Sequence, residues 1–142
     1  VSIPTGQTLT VTSYGGNNIL RGGLLQIGGV VSGAGNLVKE NIQTNTEDAN
    51  TSNTGFLRLS NNSNNYSGGT TINGGVLITS VSNGLGATSG DTSVAAGAQL
   101  RLENAITIPA GETISITGDG PLSGTTPTGA LRNENNTGTI TD

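Results

Sequence analysis

The sequence predicts an all-β fold of the β-solenoid kind, in which short strands coil and stack instead of packing as one sandwich. Three observations carry that expectation. The stretch VSIPTGQTLTVT at residues 1–12 returns as ITIPAGETISIT at residues 106–117, an offset of 105 residues in which only Thr5 to Ala110 and Gln7 to Glu112 change character. Within the long repeat runs a shorter rhythm of an aliphatic residue, a Gly three positions later, and then alternating aliphatics. No window has helical spacing, and Ala, Lys and Glu are too sparse to hold a long helix.

Along the chain, Ile3, Gly6, Leu9 and Val11 read as strand, corner, strand. Gly tolerates the positive φ of the bend, and alternation by two keeps one row of side chains facing inward. A version one residue tighter follows at Leu20, Gly23, Leu25 and Ile27 and again at Ile72, Gly75, Leu77 and Thr79. The wider form returns at Val94, Gly97, Leu100 and Leu102 and at Ile108, Gly111, Ile114 and Ile116. Leu131-Arg132 is the counterpart of Leu20-Arg21. The starts at 3 and 20 and at 72, 94 and 108 lie 14 to 22 residues apart, which suits one turn of a solenoid better than the roughly 8 to 12 residues between strands of a sandwich. Residues 1–142 therefore read as a single solenoid segment, with one repeat over 1–105 and the opening of the next over 106–142, cut from something longer. A strand with two inward aliphatics buries too little to stand alone, so each must stack on its neighbours. If the long repeat holds about five turns at about 4.8 Å each, it forms a rod about 25 Å long.

Composition narrows the function classes. With 24 Gly, one Phe, two Tyr and no Trp, Met, Cys or His, the core is aliphatic and thin. Charged residues make up 10% of the chain and the net charge is -4. The cations Arg21, Lys39, Arg58, Arg101 and Arg132 look scattered, which argues against nucleic acid, whose phosphates demand clustered Lys and Arg. Without cysteine there is no disulfide framework and no thiolate metal site. No stretch approaches the roughly 18 apolar residues of a membrane span, and VSIPTGQTLT has neither the basic start nor the apolar run of a signal peptide. Regularly placed Leu, Ile and Val are what a disordered chain lacks.

GGVVSGAGNLVKE at residues 28–40, followed by residues 56–103, resembles the autotransporter-associated β-strand repeat. Gly33, Gly35, Leu37 and Lys39 match its opening and Leu57 and Leu59 its central strand. Asn64 or Asn65, Tyr66, Gly68 or Gly69, Thr71, Ile72, Gly75 and Leu77 match its most specific part, and TGALRNENNTGTI at 128–140 is similar to an element found in very large bacterial surface proteins that carry these repeats. The resemblance implies a right-handed parallel β-helix and a place in a secreted, cell-surface, extracellular bacterial adhesin. It implies neighbouring repeats of the same polypeptide as partners, with a cell-surface glycan or protein of unknown identity as a further one.

One departure from the family pattern points to a site. Seventeen residues separate Lys39 from Leu57, and the polar segment 40–55 has almost nothing that could be buried, so it is expected to leave the rod as a loop. Its residues Gln43, Thr44, Asn45, Glu47, Asp48 and Asn50 are the candidate contact surface. An enzyme is not expected. The carboxylates Glu40, Glu47, Asp48, Asp91, Glu103, Glu112 and Asp119 show no hydrolytic pairing, and Ser and Thr lack the activating partner of a triad. No cofactor or metal is expected, since GDG at 118–120 and SGD at 89–91 fit corner turns better than calcium loops. The Asn and Thr of NNSNNY and TTIN are expected to form ladders that satisfy one another at the corners. The reading is a rigid stalk that displays a loop. The alternatives are a glycan-binding or glycan-processing β-helix, or an ice-binding solenoid using Thr8, Thr10 and Thr12 or Thr137, Thr139 and Thr141, whose Thr runs do not recur strand after strand.

Overall fold

The computed structural model describes residues 1–15, 23–43, 54–123, 125–134 and 139–140. They form strands alone: β1 (Ser2–Ile3), β2 (Thr8–Gly15), β3 (Leu24–Ile27), β4 (Ser32–Gly33), β5 (Asn36–Gln43), β6 (Phe56–Leu59), β7 (Thr70–Ile72), β8 (Gly75–Thr79), β9 (Thr92–Val94), β10 (Ala98–Glu103), β11 (Thr107–Ile108), β12 (Ile114–Ile116), β13 (Leu122–Ser123), β14 (Thr126–Pro127), β15 (Leu131–Glu134) and β16 (Thr139–Ile140). Two five-stranded parallel sheets dominate, one ordered β2-β5-β7-β9-β12 and the other β3-β6-β8-β10-β15. The chain visits them by turns, so strands adjacent in a sheet are separated in sequence by a strand of the other. Short parallel pairs β1-β4 and β11-β16 complete this pattern, and β13-β14 is an antiparallel hairpin.

In the first sheet the register partners Leu9, Leu37, Thr70, Thr92 and Ile114 follow one another at intervals of 28, 33, 22 and 22 residues. The two later steps meet the upper end of the 14-to-22-residue spacing expected from the Gly rhythm, and the two earlier ones exceed it. Leu9 and Leu25, which belong to successive copies of that motif, lie in different sheets, so the motif recurs in both sheets and its copies do not count the steps of either one. From β2 to β12 the first sheet takes four inter-strand steps, about 19 Å, instead of five steps and 25 Å.

The core is a set of in-register columns. Leu25, Leu57, Leu77, Leu100 and Leu131 align across the second sheet, and the middle three are fully buried. Val11, Lys39, Ile72, Val94 and Ile116 align across the first. Parallel register lets the inner strands bury their inward side chains against the strands on either side, while the edge strands leave Leu25 and Ile116 partly exposed. Backbone packs on backbone at one corner, where a Cβ on Gly68 would meet the Gly35 carbonyl and one on Gly90 the Gly68 carbonyl.

Candidate functional site

The polar insertion begins later than expected. β5 stays paired with β2 through Asn41↔Ser13, Ile42↔Tyr14 and Gln43↔Gly15, so residues 40–43 belong to the strand. β7 ends at Ile72, opposite Lys39. Beyond that point β2 and β5 continue as a two-stranded extension, carrying Ile42 with 43% of its surface exposed. Gln43 closes β5, and the segments 16–22 and 44–53 start from its two paired ends. The side chain of Gln43, and all of Thr44, Asn45, Glu47, Asp48 and Asn50, lie outside the described residues.

The base of the insertion is tightly tied. The Gly55 N–H donates to Asn41 Oδ1 (2.9 Å), joining β5 of one sheet to the residue that precedes β6 of the other. Asn73 Nδ2 donates to Glu40 Oε1 (2.7 Å). Beneath them Lys39 is wholly buried within its apolar column, and its Nζ donates to the carbonyls of Glu40 and Gly74 (3.1 Å). Desolvation lowers the ammonium from 10.5 to about 8, against the opposing pull of the Glu40 carboxylate. Ser13 Oγ, buried where a Cβ on Gly55 would strike it, has no hydrogen-bond partner among the described residues. An amine stem inside the stack, tied to a carbonyl of its own strand and to one in the β7–β8 connection, fixes the direction in which the chain leaves.

A second polar surface lies on the outer face of the other sheet. Gln26, Arg58, Ile78, Arg101 and Arg132 share one column. Arg58 pairs with Glu103, while Glu134 takes both Arg101 (3.0 Å) and Arg132 (2.7 Å). The Arg101 guanidinium also bonds Gln99 Oε1 through Nε (3.1 Å) and a terminal nitrogen (3.0 Å), and lies 5.4 Å from the Phe56 ring centroid. Under this cover Val76 and Ile78 are buried although they sit on the face opposite Leu77. Three of the five cations that look scattered along the chain, Arg58, Arg101 and Arg132, are therefore collected. The signal was present in the repeated Leu-Arg phrases Leu57-Arg58, Leu100-Arg101 and Leu131-Arg132, which become a column once their leucines are aligned.

The remaining polar residues serve the stack. Asn64 Oδ1 accepts from the Val31 N–H (2.9 Å) and its Nδ2 donates to the Gly84 carbonyl (3.3 Å). The Gly69 N–H donates to Asn36 Oδ1 (2.9 Å), and Asn61 Nδ2 to the Gly28 carbonyl (2.9 Å). Asparagines thus bond the main chain of the neighbouring corner more often than one another. Inside, Tyr66 Oη and Thr70 Oγ1 are 2.7 Å apart, and Thr92 Oγ1 donates to Glu112 Oε1 (2.6 Å). Burial raises the Glu112 carboxyl, the Thr92 bond opposes this, and Asp91 adds to it. Among the described residues no three acidic groups gather as a metal cluster would require. Thr8, Thr10 and Thr12 meet Asn36, Val38 and Glu40 in the next strand, so the Thr row stops after one strand.

Comparison of the chain with protein families, with curated proteins and with solved structures gives no match in any of the three.

Proposed function

We propose that this chain is a segment of right-handed parallel β-helix that serves as a non-enzymatic stalk in a large secreted bacterial cell-surface protein, holding the 44–53 insertion out for contact with a glycan or protein on another surface. One observation carries the reading: successive strands alternate between two parallel sheets in a register that restores itself. Ser2–Ile3 pairs in parallel with Ser32–Gly33, 30 residues on, and 105 residues later Thr107–Ile108 pairs in parallel with Thr139–Ile140, 32 residues on. A fold that returns to its starting pattern extends by addition, and its product is length. The resemblance to the autotransporter-associated repeat supplies the extracellular setting, and the tied base of the insertion supports display from a firm platform.

The experiment is binding of fluorescently labelled chain to a glycan array and to intact cells, beside a form in which residues 44–53 are replaced by a short Gly-Ser link. Asn41 and Gly55 are kept so that the base survives. Binding by the native chain that disappears with the segment is the expected result. Equal binding by both forms moves the site to the Arg-Glu face, and no binding by either leaves a spacer without a displayed site.

A further inference from the structure

Strand β12 closes its sheet, and no described strand lies beyond it. Its inner side is taken up by β9, for the Thr113 carbonyl accepts from the Thr92 N–H (2.8 Å) and the Thr117 N–H donates to the Val94 carbonyl (2.9 Å). In a parallel ladder alternate residues bond opposite neighbours, so the amides of Ile114 and Ile116 point to the open side. The same sequence phrase occurs at β2, where that side is filled. There Leu37 and Lys39 of β5 lie beside Leu9 and Val11, and the Asn36 N–H donates to the Gln7 carbonyl (3.0 Å).

Three further marks make the two places equivalent. The Gln7 N–H bonds the Pro4 carbonyl (3.0 Å) as the Glu112 N–H bonds that of Pro109 (3.3 Å). Gly6 and Gly111 both take positive φ, at 74° and 91°. β16 lies beside β11 as β4 lies beside β1, and β4 leads through Ala34 and Gly35 into β5. The consequence of the open side is visible in exposure: Val11, flanked by β5, is 7% exposed, whereas its equivalent Ile116 is 43% exposed.

We infer that the open edge of β12 is a docking edge for a parallel strand of the β5 pattern, Asn-Leu-Val-Lys-Glu, supplied by a further copy of this repeat that continues from β16. The occupant's Leu lies on Ile114 and its Lys on Ile116, as Lys39 lies on Val11, with the ammonium again on main-chain carbonyls. This rests on the stacked reading given under Proposed function and adds the partner and its register.

The test is a two-unit chain in which residues 34–142 follow residue 140, compared with the single chain by native-state amide exchange and thermal unfolding. In the single chain the amides of Ile114 and Ile116 exchange freely. In the two-unit chain those of the first unit slow by about 100-fold or more, and unfolding is one transition at a higher temperature. Ile116→Pro in the first unit removes an outward amide without touching the bonds to β9. It leaves the single chain's midpoint nearly unchanged and abolishes the gain of the two-unit chain. Equal exchange at Ile114 and Ile116 in both chains, or a two-unit chain that melts like the single one, overturns the inference. Absent protection at Leu37, Thr70 and Thr92 in the single chain overturns the stacked reading itself, which separates the two failures.

Discussion

Two glycines of the same chain should lose stability to very different extents on the same substitution. Gly68 has no room, since an added Cβ meets the Gly35 carbonyl, while Gly97 has positive φ but nothing within 4 Å. Gly68→Ala should destabilise by about 3 kcal/mol or more, the upper end for overpacking, and Gly97→Ala by about 1 kcal/mol, as read by chemical denaturation. Lys39 sets a pH dependence at the alkaline end. Between about 8 and 10.5 the unfolded chain holds a proton that the folded chain has released, so stability should rise with pH across that window and Lys39→Met should flatten it. Glu112 acts with the opposite sign at the acid end. Its carboxyl is raised above 4.5 by burial, so stability should fall as pH climbs from 4.5 through the raised value. Glu112→Gln, which installs the residue found at the equivalent Gln7, should remove that slope and stabilise the chain at neutral pH. None of this was legible at residue level. Lys39 stood in the sequence as one of five scattered cations and Glu112 as one of several unpaired carboxylates until register placed one in an apolar column and the other against Thr92.

At the scale of elements, the leucine column ranks its own members. Leu77→Ala, in the middle of the stack and fully buried, should lose about 2–5 kcal/mol. Leu25→Ala, on the edge strand with 47% exposure, should lose under about 1 kcal/mol, and thermal melts of the two variants order them directly. Strands such as FLRL and QLRLE were readable because inward leucines alternate with polar residues. β8 was not readable as a half-exposed strand, since both of its faces are covered, one by the core and the other by Phe56 and the arginines. The insertion was legible as a polar excess after Lys39. Its true start was not, because Asn41, Ile42 and Gln43 look no different from loop residues until pairing with β2 holds them. Replacing residues 44–53 by a short link should move the melting midpoint by only a few degrees, since loop length enters the closure entropy logarithmically.

For the whole molecule, the duplicated phrase at residues 1–12 and 106–117 already stated the period of 105 residues, and the pairing of β1 with β4 and of β11 with β16 gives that period its structural form. The number of steps within it could not be counted from the Gly rhythm, because copies of that motif fall in both sheets. The central claim is that the chain grows in one dimension, and small-angle X-ray scattering tests it most directly. The two-unit chain should show the same cross-sectional radius as the single chain and a length greater by about 19 Å, four strand spacings. A thicker particle of unchanged length would contradict the account.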